Sequence, residues 1–331
     1  MSHRPPPPQD VAHGQRVHHD ALAGRHVFVA PQRSARPDDA ALAAEGGEPG
    51  AWCPFCAGNE SRTPPHSLRT PSDPALPWQA RIVANGYPVV AHQAHAATPP
   101  AERPAHGVHD VVIESAAHER SILALDAAAW RDVWLLCQRR LADLARRDDL
   151  AWAMVFKNSG PRAGASLEHL HSQLVALDFV PPAVAAELAA AAAAVDSFGN
   201  LIAAARGAGR VVAETGGVVA LVPPAPRQPF ETWLLPATAA PFFHTAPAEH
   251  VAAVAELTHW FVDRLDRLAP GADYNWWLHQ APHRGADVPP AWHWHVEILP
   301  RLAQFAGFEL GTGCHITTLS AVESARRLRE A

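Results

Sequence analysis

Two short histidine-bearing stretches constrain this chain most: HLHSQL at 169–174 and HWHVEI at 293–298, 124 residues apart. Each sets two histidines two residues apart beside an apolar run. Positions i and i+2 of a strand share a face. Each stretch therefore aims both imidazoles out of the same side of a sheet. The recurrence predicts two related α+β halves. A length of 331 residues accommodates them, and a hydrophobic fraction of 48% supplies a core.

The surrounding pattern supports that reading. Short apolar runs predict strands at 26–30, 81–84, 110–114, 151–158 and 173–178 in the first half. Further strands are predicted at 201–203, 211–214, 218–221, 275–279 and 293–299. Helices are predicted at 125–146, capped by Asp126, and at 251–268. Another starts at Pro181-Pro182 and runs through the alanine-rich AVAAELAAAAAAV, and a last one starts near Ser320. Residues 1–15 read as a flexible, Pro-rich segment, and 34–52 as a loop. The halves divide as 16–190 and 191–331.

Composition narrows the function classes. A formal charge of -6 excludes a strongly basic nucleic-acid surface. No apolar run reaches the ~20 residues of a membrane span. The N-terminal MSHRPPPPQD lacks the apolar segment of a signal peptide, so the expected location is cytoplasmic. Four cysteines do not make a disulfide scaffold. Cys137 and Cys314, in apolar surroundings, are expected to be core thiols.

Cys53-Pro54-Phe55-Cys56 can turn two thiolates toward one zinc ion. The same spacing also serves redox pairs and inert structural thiols, although Gly58, Asn59 and the many prolines give little support to a thioredoxin-like helix start. A closed zinc site needs two more ligands. His118, after HDVVIES, and His169, before the later strand, are candidates.

The richest segment is VFKNSGPRAGASLEHLHSQL, residues 155–174. It passes from an apolar strand through a Gly/Ser-rich loop into the first histidine stretch. Gly160 and Gly164 permit tight backbone paths and close approach of a phosphate. Asn158 and Ser166 offer neutral hydrogen-bonding groups, and Arg162 offers charge if it turns inward. The glycine spacing is not that of a Walker A loop. A neutral imidazole at His171 could attack phosphorus if a backbone carbonyl held one ring N–H and left the other nitrogen free. Gln173, on the same face, could donate to a phosphate oxygen. A metal site or a hydrogen-bonded histidine pair fits the same spacing.

In their order along the chain, FVAPQRSARP, CPFCAGNE, RIVANGYP, HDVVIES, the 155–174 segment, LHQAP, HWHVEILPR and GFELGTG resemble the galactose-1-phosphate uridylyltransferase family of the histidine-triad superfamily. The resemblance spans roughly 16–331. HDVVIES and GASLEHLHSQ also resemble a branch containing ADP-glucose phosphorylases. It implies an α+β fold of two histidine-triad-like halves, with antiparallel sheets and packed helices, and a homodimer. Cys53, Cys56, His118 and His169 would bind Zn2+. His171 would be the nucleophile, and Gln173 would stabilise its nucleotidylated state. Asn158, Gly164, Ser166, Arg33, Arg36 and Asn85 match phosphate- or nucleotide-contacting positions. Glu187, His279, His293 and His295 match a second site for Zn2+ or Fe2+, and Phe308 and Glu309 a sugar-contacting pair.

Two departures bear on specificity. Gly86 stands where the family often has Asp, and Phe308 where it often has Tyr. The activity implied first is uridylyl transfer between UDP-glucose and a hexose 1-phosphate, in a ping-pong reaction through nucleotidyl-His171. The alternatives are phosphorolysis of ADP-glucose with inorganic phosphate as acceptor, hydrolysis of a sugar nucleotide, and a non-catalytic, zinc-stabilised nucleotide-binding protein.

Overall fold

A computed structural model describes residues 15–36, 53–91, 102–193 and 195–331. The expected flexible segment lies outside these residues apart from Gln15, as does 37–52 of the predicted loop. Thirteen strands are described: β1 (Arg16–Asp20), β2 (Arg25–Val29), β3 (His66–Thr70), β4 (Ala80–Ala84), β5 (Glu102–Pro104), β6 (Gly107–Ile113), β7 (Trp152–Ser159), β8 (His171–Leu177), β9 (Val211–Thr215), β10 (Val218–Leu221), β11 (Thr232–Pro236), β12 (Tyr274–His279) and β13 (His295–Pro300). Ten join into one antiparallel sheet in the order β3-β4-β6-β8-β7-β12-β13-β11-β10-β9, and β2-β1-β5 form a small second sheet. The fold is α+β.

From either edge inward, each run of five strands follows the same chain order: first, second, third, fifth, fourth. The two fourth strands, β7 and β12, pair at the centre, with Phe156 opposite Trp277 and Asn158 opposite Asn275.

Helices α1 (Ala127–Ala145) and α4 (Ala248–Leu268) cover one face of the sheet. In α1 the buried residues Trp130, Val133, Trp134, Cys137, Leu141 and Leu144 fall on the spacing of one helix stripe. Asp126 caps the helix by accepting the Ala129 N–H at 2.8 Å. The stripe meets Val112, Leu174, Val155, Trp276 and Ile298 of the sheet. Trp134 stacks on Trp276 with ring centroids 4.8 Å apart, and Trp130 Nε1 donates to Thr258 of α4 at 2.9 Å. Truncating so large a buried ring costs about 3–5 kcal/mol.

Because side chains alternate along a strand, the residues between these core positions emerge on the opposite face. Helices α2 (Pro182–Ala192) and α3 (Ser197–Gly207) lie over part of it, packing Leu188, Phe198 and Ile202 in a cluster with Val175, Val219, Leu221 and Trp292. Two short helices, α5 (Gly307–Thr312) and α6 (Ala321–Glu330), end the chain.

Two expectations are corrected. The predicted strand at 201–203 is the middle of α3: Asp196 caps it through Gly199 N, and Phe198, Ile202 and Ala205 are buried at helical, not alternating, spacing. The alanine-rich run forms α2, Pro182–Ala192, as expected. Cys314 is exposed, on the surface stretch after α5, while Cys137 is buried as expected. No single helix among the described residues is long and apolar enough to cross a membrane.

Candidate active site and metal clusters

One face of the sheet carries almost all the chemistry. On it lie Asn85 after β4, His109 of β6, Asn158 of β7, His171 and Gln173 of β8, Asn275 and His279 of β12, and His295 and Glu297 of β13. Alternation alone puts them there, and strand order fixes their sequence across the sheet.

The first metal cluster is built from three loops. The 53–59 knuckle is closed by Asn59, whose amide donates to the Cys53 carbonyl at 2.8 Å. Ala57 N donates to Ala116 O at 2.9 Å, tying the knuckle to the loop that carries His118. Cys53 Sγ lies 3.3 Å from His169 Nδ1, and Cys56 Sγ lies 3.4 Å from His118 Nδ1 and 3.5 Å from His169 Nδ1. The four ligand atoms fall within 4.8 Å of one another. A tetrahedral ion with bonds of about 2.0–2.3 Å needs edges of this size. His169 Nε2–H donates to the Ser115 carbonyl at 2.9 Å, which leaves Nδ1 bare for a metal. Burial pushes the His169 imidazole down to about 4 and the Cys53 thiol up to about 12. The ring is neutral near pH 7, and the thiol needs a cation to ionise. The residues fit Zn2+.

His169 serves twice. Its carbonyl accepts the Nδ1–H of His171 at 2.7 Å. His171 therefore presents Nε2 with a free lone pair, the tautomer a nucleophile requires. Burial also drives this ring down to about 4, with Lys157 and Arg36 adding to the effect. Phe55, between the two cysteines, packs on the His171 ring at 5.3 Å between centroids. On the other face Lys157 donates to the His171 carbonyl at 3.0 Å and to Glu114 at 2.5 Å, and Ser172 also bonds Glu114. This buried pair anchors the start of β8.

The loop after β7 depends on two glycines with positive φ. A Cβ on Gly160 (φ 85°) would overlap the Asp273 carboxylate, which accepts the Arg162 backbone N–H at 2.6 Å. Gly164 (φ 88°) faces the Asn158 amide, where a Cβ would lie 3.9 Å from Nδ2. Asn158 Oδ1 accepts from Asn275 Nδ2 at 2.8 Å, which leaves its NH2 to face Gly164. Ser166 is half-buried on the same loop. Arg33 donates to the Tyr87 carbonyl at 2.7 Å, and Asn85 Oδ1 accepts the Tyr87 N–H at 2.8 Å. Arg162 turns to the Leu302 carbonyl at 3.3 Å.

The second cluster unites Glu187 of α2 with His279, His295 and Glu297. His279 Nδ1 lies 2.9 Å from Glu187 Oε2, and His295 Nε2 lies 3.5 Å from Glu187 and 3.6 Å from Glu297. Glu187 Oε2, His279 Nδ1 and His295 Nε2 are nonetheless buried without hydrogen-bond geometry. With the Glu297 carboxylate, they lie within 4.8 Å of one another, close enough to share one ion. Two imidazoles and two carboxylates suit Zn2+ or Fe2+. His293, expected here, is not among these four ligand atoms; its Nδ1 donates to the Pro236 carbonyl at 2.8 Å, which leaves the proton off Nε2, and its ring stacks on Phe198. Glu297 completes the group, and Arg227 pairs with its carboxylate. Burial opposes charge on His295, but Glu187 and Glu297 outweigh it and push the ring up to about 10.

Phe308 and Glu309 show no tie to this face among the described residues. Phe308 is 52% exposed, and the Glu309 carboxylate caps its own helix by accepting the Ala306 N–H at 2.9 Å. Conversely, Phe55, His109, Asn275 and Glu297 belong to the site and are not singled out by the sequence motifs. Only Glu297 leaves a plain signal, since it follows its HxH stretch as Gln173 follows the other.

A paired histidine sheet with a Cys2His2 knuckle beside a free imidazole defines a protein of the histidine-triad-like superfamily, related both to galactose-1-phosphate uridylyltransferases and to the ADP-glucose phosphorylase branch. More narrowly, the chain belongs to the family described as a domain of unknown function, DUF4921, whose model matches residues 106–330. It is 30% identical over 322 residues to the ADP-glucose phosphorylase of Arabidopsis thaliana, covering 94% of this chain and 91% of that one. It is 27% identical over 238 residues to the galactose-1-phosphate uridylyltransferase of Thermotoga maritima, covering 68% and 74%. The crystal structure of the Arabidopsis thaliana ADP-glucose phosphorylase with bound ADP-glucose superposes with a TM-score of 0.77 at 28% identity, over 95% of this chain and 98% of that one.

Proposed function

We propose that this chain, a sugar-nucleotide enzyme of the ADP-glucose phosphorylase and galactose-1-phosphate uridylyltransferase branch, transfers AMP from ADP-glucose to inorganic phosphate. His171 Nε2 attacks the α-phosphorus, and the bond to glucose 1-phosphate breaks. Phosphate then attacks the adenylylated His171, ADP leaves, and the imidazole returns to its neutral form. The observation that carries this reading is the His171 tautomer: Nδ1–H is fixed on the His169 carbonyl and a neutral Nε2 is left free. Gln173, Asn158 and the loop at Gly164 supply donors to the phosphoryl oxygens, and Arg33 and Arg36 supply charge. Zn2+ at the first cluster would be held by Cys53, Cys56, His118 and His169 and would fix the backbone that orients His171.

The choice of AMP and phosphate over UMP and hexose phosphate rests on coverage. The plant phosphorylase matches nearly the whole chain, whereas the bacterial uridylyltransferase matches about two thirds of it. The tie of Glu309 to its own helix further weakens the hexose-phosphate reading. The repeated strand order supports related halves at 16–190 and 191–331, with Phe156 and Trp277 at the pseudo-twofold centre.

The test is intact-protein mass spectrometry with ADP-glucose and UDP-glucose, each alone. An AMP adduct on His171, discharged by phosphate to ADP, is expected. A UMP adduct discharged only by a hexose 1-phosphate would select the uridylyl reading. No adduct with either donor, in a folded and metal-loaded protein, would sink both.

A further inference from the structure

Gln173 can help a phosphoryl group only if its amide NH2, not its carbonyl, faces the substrate. The side chain that decides this is His109, 4% exposed on the adjacent strand β6. The backbone N–H of Val89 points at His109 Nδ1 from 3.1 Å. A backbone N–H can only donate, so Nδ1 must carry the lone pair. Burial pushes this ring down to about 4, so it is neutral near pH 7 and its single proton sits on Nε2. Nε2 lies 2.9 Å from the Gln173 amide. A donor there requires the amide oxygen, which turns the NH2 away from His109. The Asn85 NH2, 3.1 Å from the same nitrogen, meets no lone pair there, and its own oxygen is engaged by Tyr87 N–H. Asn85 thus offers the Nε2–H no acceptor, and the Gln173 oxygen is its partner.

We infer that His109 is a positioning residue: its Nε2–H holds Gln173 by the amide oxygen and so presents the Gln173 NH2 to the phosphoryl group passing to His171. This rests on the proposed nucleotidyl transfer, but the arrangement itself is a chain of hydrogen bonds anchored in a backbone amide that cannot flip. The second half of the sheet supplies the contrast. There Glu297 occupies the position of Gln173. Continuing the register of β11 against β13, Glu231 occupies that of His109, and Arg227 bridges the two carboxylates. Where a carboxylate replaces the amide, a cation replaces the neutral donor.

The experiment compares His109→Leu, which donates nothing, with His109→Gln, which keeps an N–H donor, each alone and combined with Gln173→Ala. The readout is the rate of adduct formation from ADP-glucose. His109→Leu should slow it about 10–100-fold, less than the loss of a donor outright, with KM for ADP-glucose nearly unmoved. His109→Gln should restore most of the rate. In the Gln173→Ala background His109→Leu should add less than about 2-fold, because its effect passes through Gln173. Full multiplicative loss in that background would overturn the assignment. Independently of activity, 15N–1H spectra of the wild-type imidazole should place the His109 proton on Nε2, and a proton on Nδ1 would overturn it whatever the enzyme does. A wild type that forms no adduct but keeps the His109 proton on Nε2 would overturn the proposed function and leave His109 as the residue that orients Gln173; a proton on Nδ1 would overturn the orientation itself.

Discussion

The two histidine stretches share a backbone and differ in chemistry. In each, the second histidine donates Nδ1–H to the carbonyl of the first: His171 to His169 at 2.7 Å, His295 to His293 at 3.2 Å. Each thereby exposes Nε2. Beside His171 stands an amide, Gln173, and the ring is pushed down to about 4. Beside His295 stand Glu187 and Glu297, and the ring is pushed up to about 10. Near pH 7 the first nitrogen has a lone pair, and the second holds a proton or, in its place, a metal ion. The sheet supplies the direction of the imidazole; burial keeps the first ring neutral, and the carboxylates of Glu187 and Glu297 outweigh burial at the second. The first imidazole thus stands beside a neutral amide, and the second belongs to a group of two imidazoles and two carboxylates that suits a metal ion.

The largest effect should come from removing the first imidazole. His171→Asn should abolish the nucleotidyl adduct and lower turnover by about 10⁴-fold or more, as loss of a covalent nucleophile does. His295→Asn should instead reduce bound metal by one ion per chain while His171 still labels, as read by metal analysis and intact mass on the same sample. Labelling lost equally in both variants would break the comparison.

Gln173→Glu pushes the first site toward the second. A carboxylate beside the transferring phosphoryl group withdraws a donor and adds repulsion, so adduct formation should fall about 10²–10³-fold. The charge also favours the protonated form of His171, so the acid limb of the pH profile should move to higher pH. Stopped-flow or quenched labelling with ADP-glucose across pH reads both effects. An unchanged rate would mean that Gln173 does not face the phosphate.

The wild-type pH profile sharpens the contrast further. The folded His171 pKa is depressed from an ordinary 6.5 to about 4. The neutral, attacking form is thus fully present above about pH 5, and it is lost only as pH falls through the folded value. Adduct formation from ADP-glucose should be nearly flat from about pH 8 to 5, be halved near pH 4 and drop about tenfold per unit below it. A midpoint near 6.5 would show that the ring is not desolvated as the fold implies.

Much of this contrast is legible in the amino-acid sequence. Alternation in HLHSQL and HWHVEI places the histidines on one face, and the CPFC spacing with His118 and His169 supplies the first cluster. What cannot be read there is lateral. His109 sits inside the apolar HDVVIES, and nothing local says that its ring meets Gln173, 64 residues on. Lys157 and Glu114 are charges inside buried strands whose partnership exists only once β6, β8 and β7 lie side by side. The error at 201–203 has a local cause. A three-residue apolar run cannot separate strand from helix, and the deciding features are the Asp196 cap and the i, i+4 spacing of Phe198 and Ile202. The resemblance puts His293 with the metal ligands beside its neighbour His295, whereas the ligand atoms that fall within 4.8 Å of one another include Glu297 and not His293.

The smallest expected effect tests whether the two halves act separately. Asn275 belongs to β12, in the second run of strands, yet its amide donates across the centre to Asn158 Oδ1 at 2.8 Å and to the Ala163 carbonyl at 2.9 Å. Asn158 lies near the end of β7 and Ala163 in the loop that follows, the segment that would receive phosphate. Asn275→Ala leaves His171, Gln173 and every cluster ligand in place, and the vacated space lies next to polar groups that water can reach. Stability should change by no more than the ~0.5–1.5 kcal/mol of an ordinary hydrogen bond. The Asn158 amide would lose the contact that fixes its direction, so the rate of transfer should fall about 3–10-fold without a change in metal content. Asn275→Asp, which can accept but not donate, should be at least as slow and should set a carboxylate beside the Asn158 oxygen. If Asn275→Ala transfers AMP at the wild-type rate, the second half contributes an ion site and a scaffold, and the chemistry belongs to the first half alone.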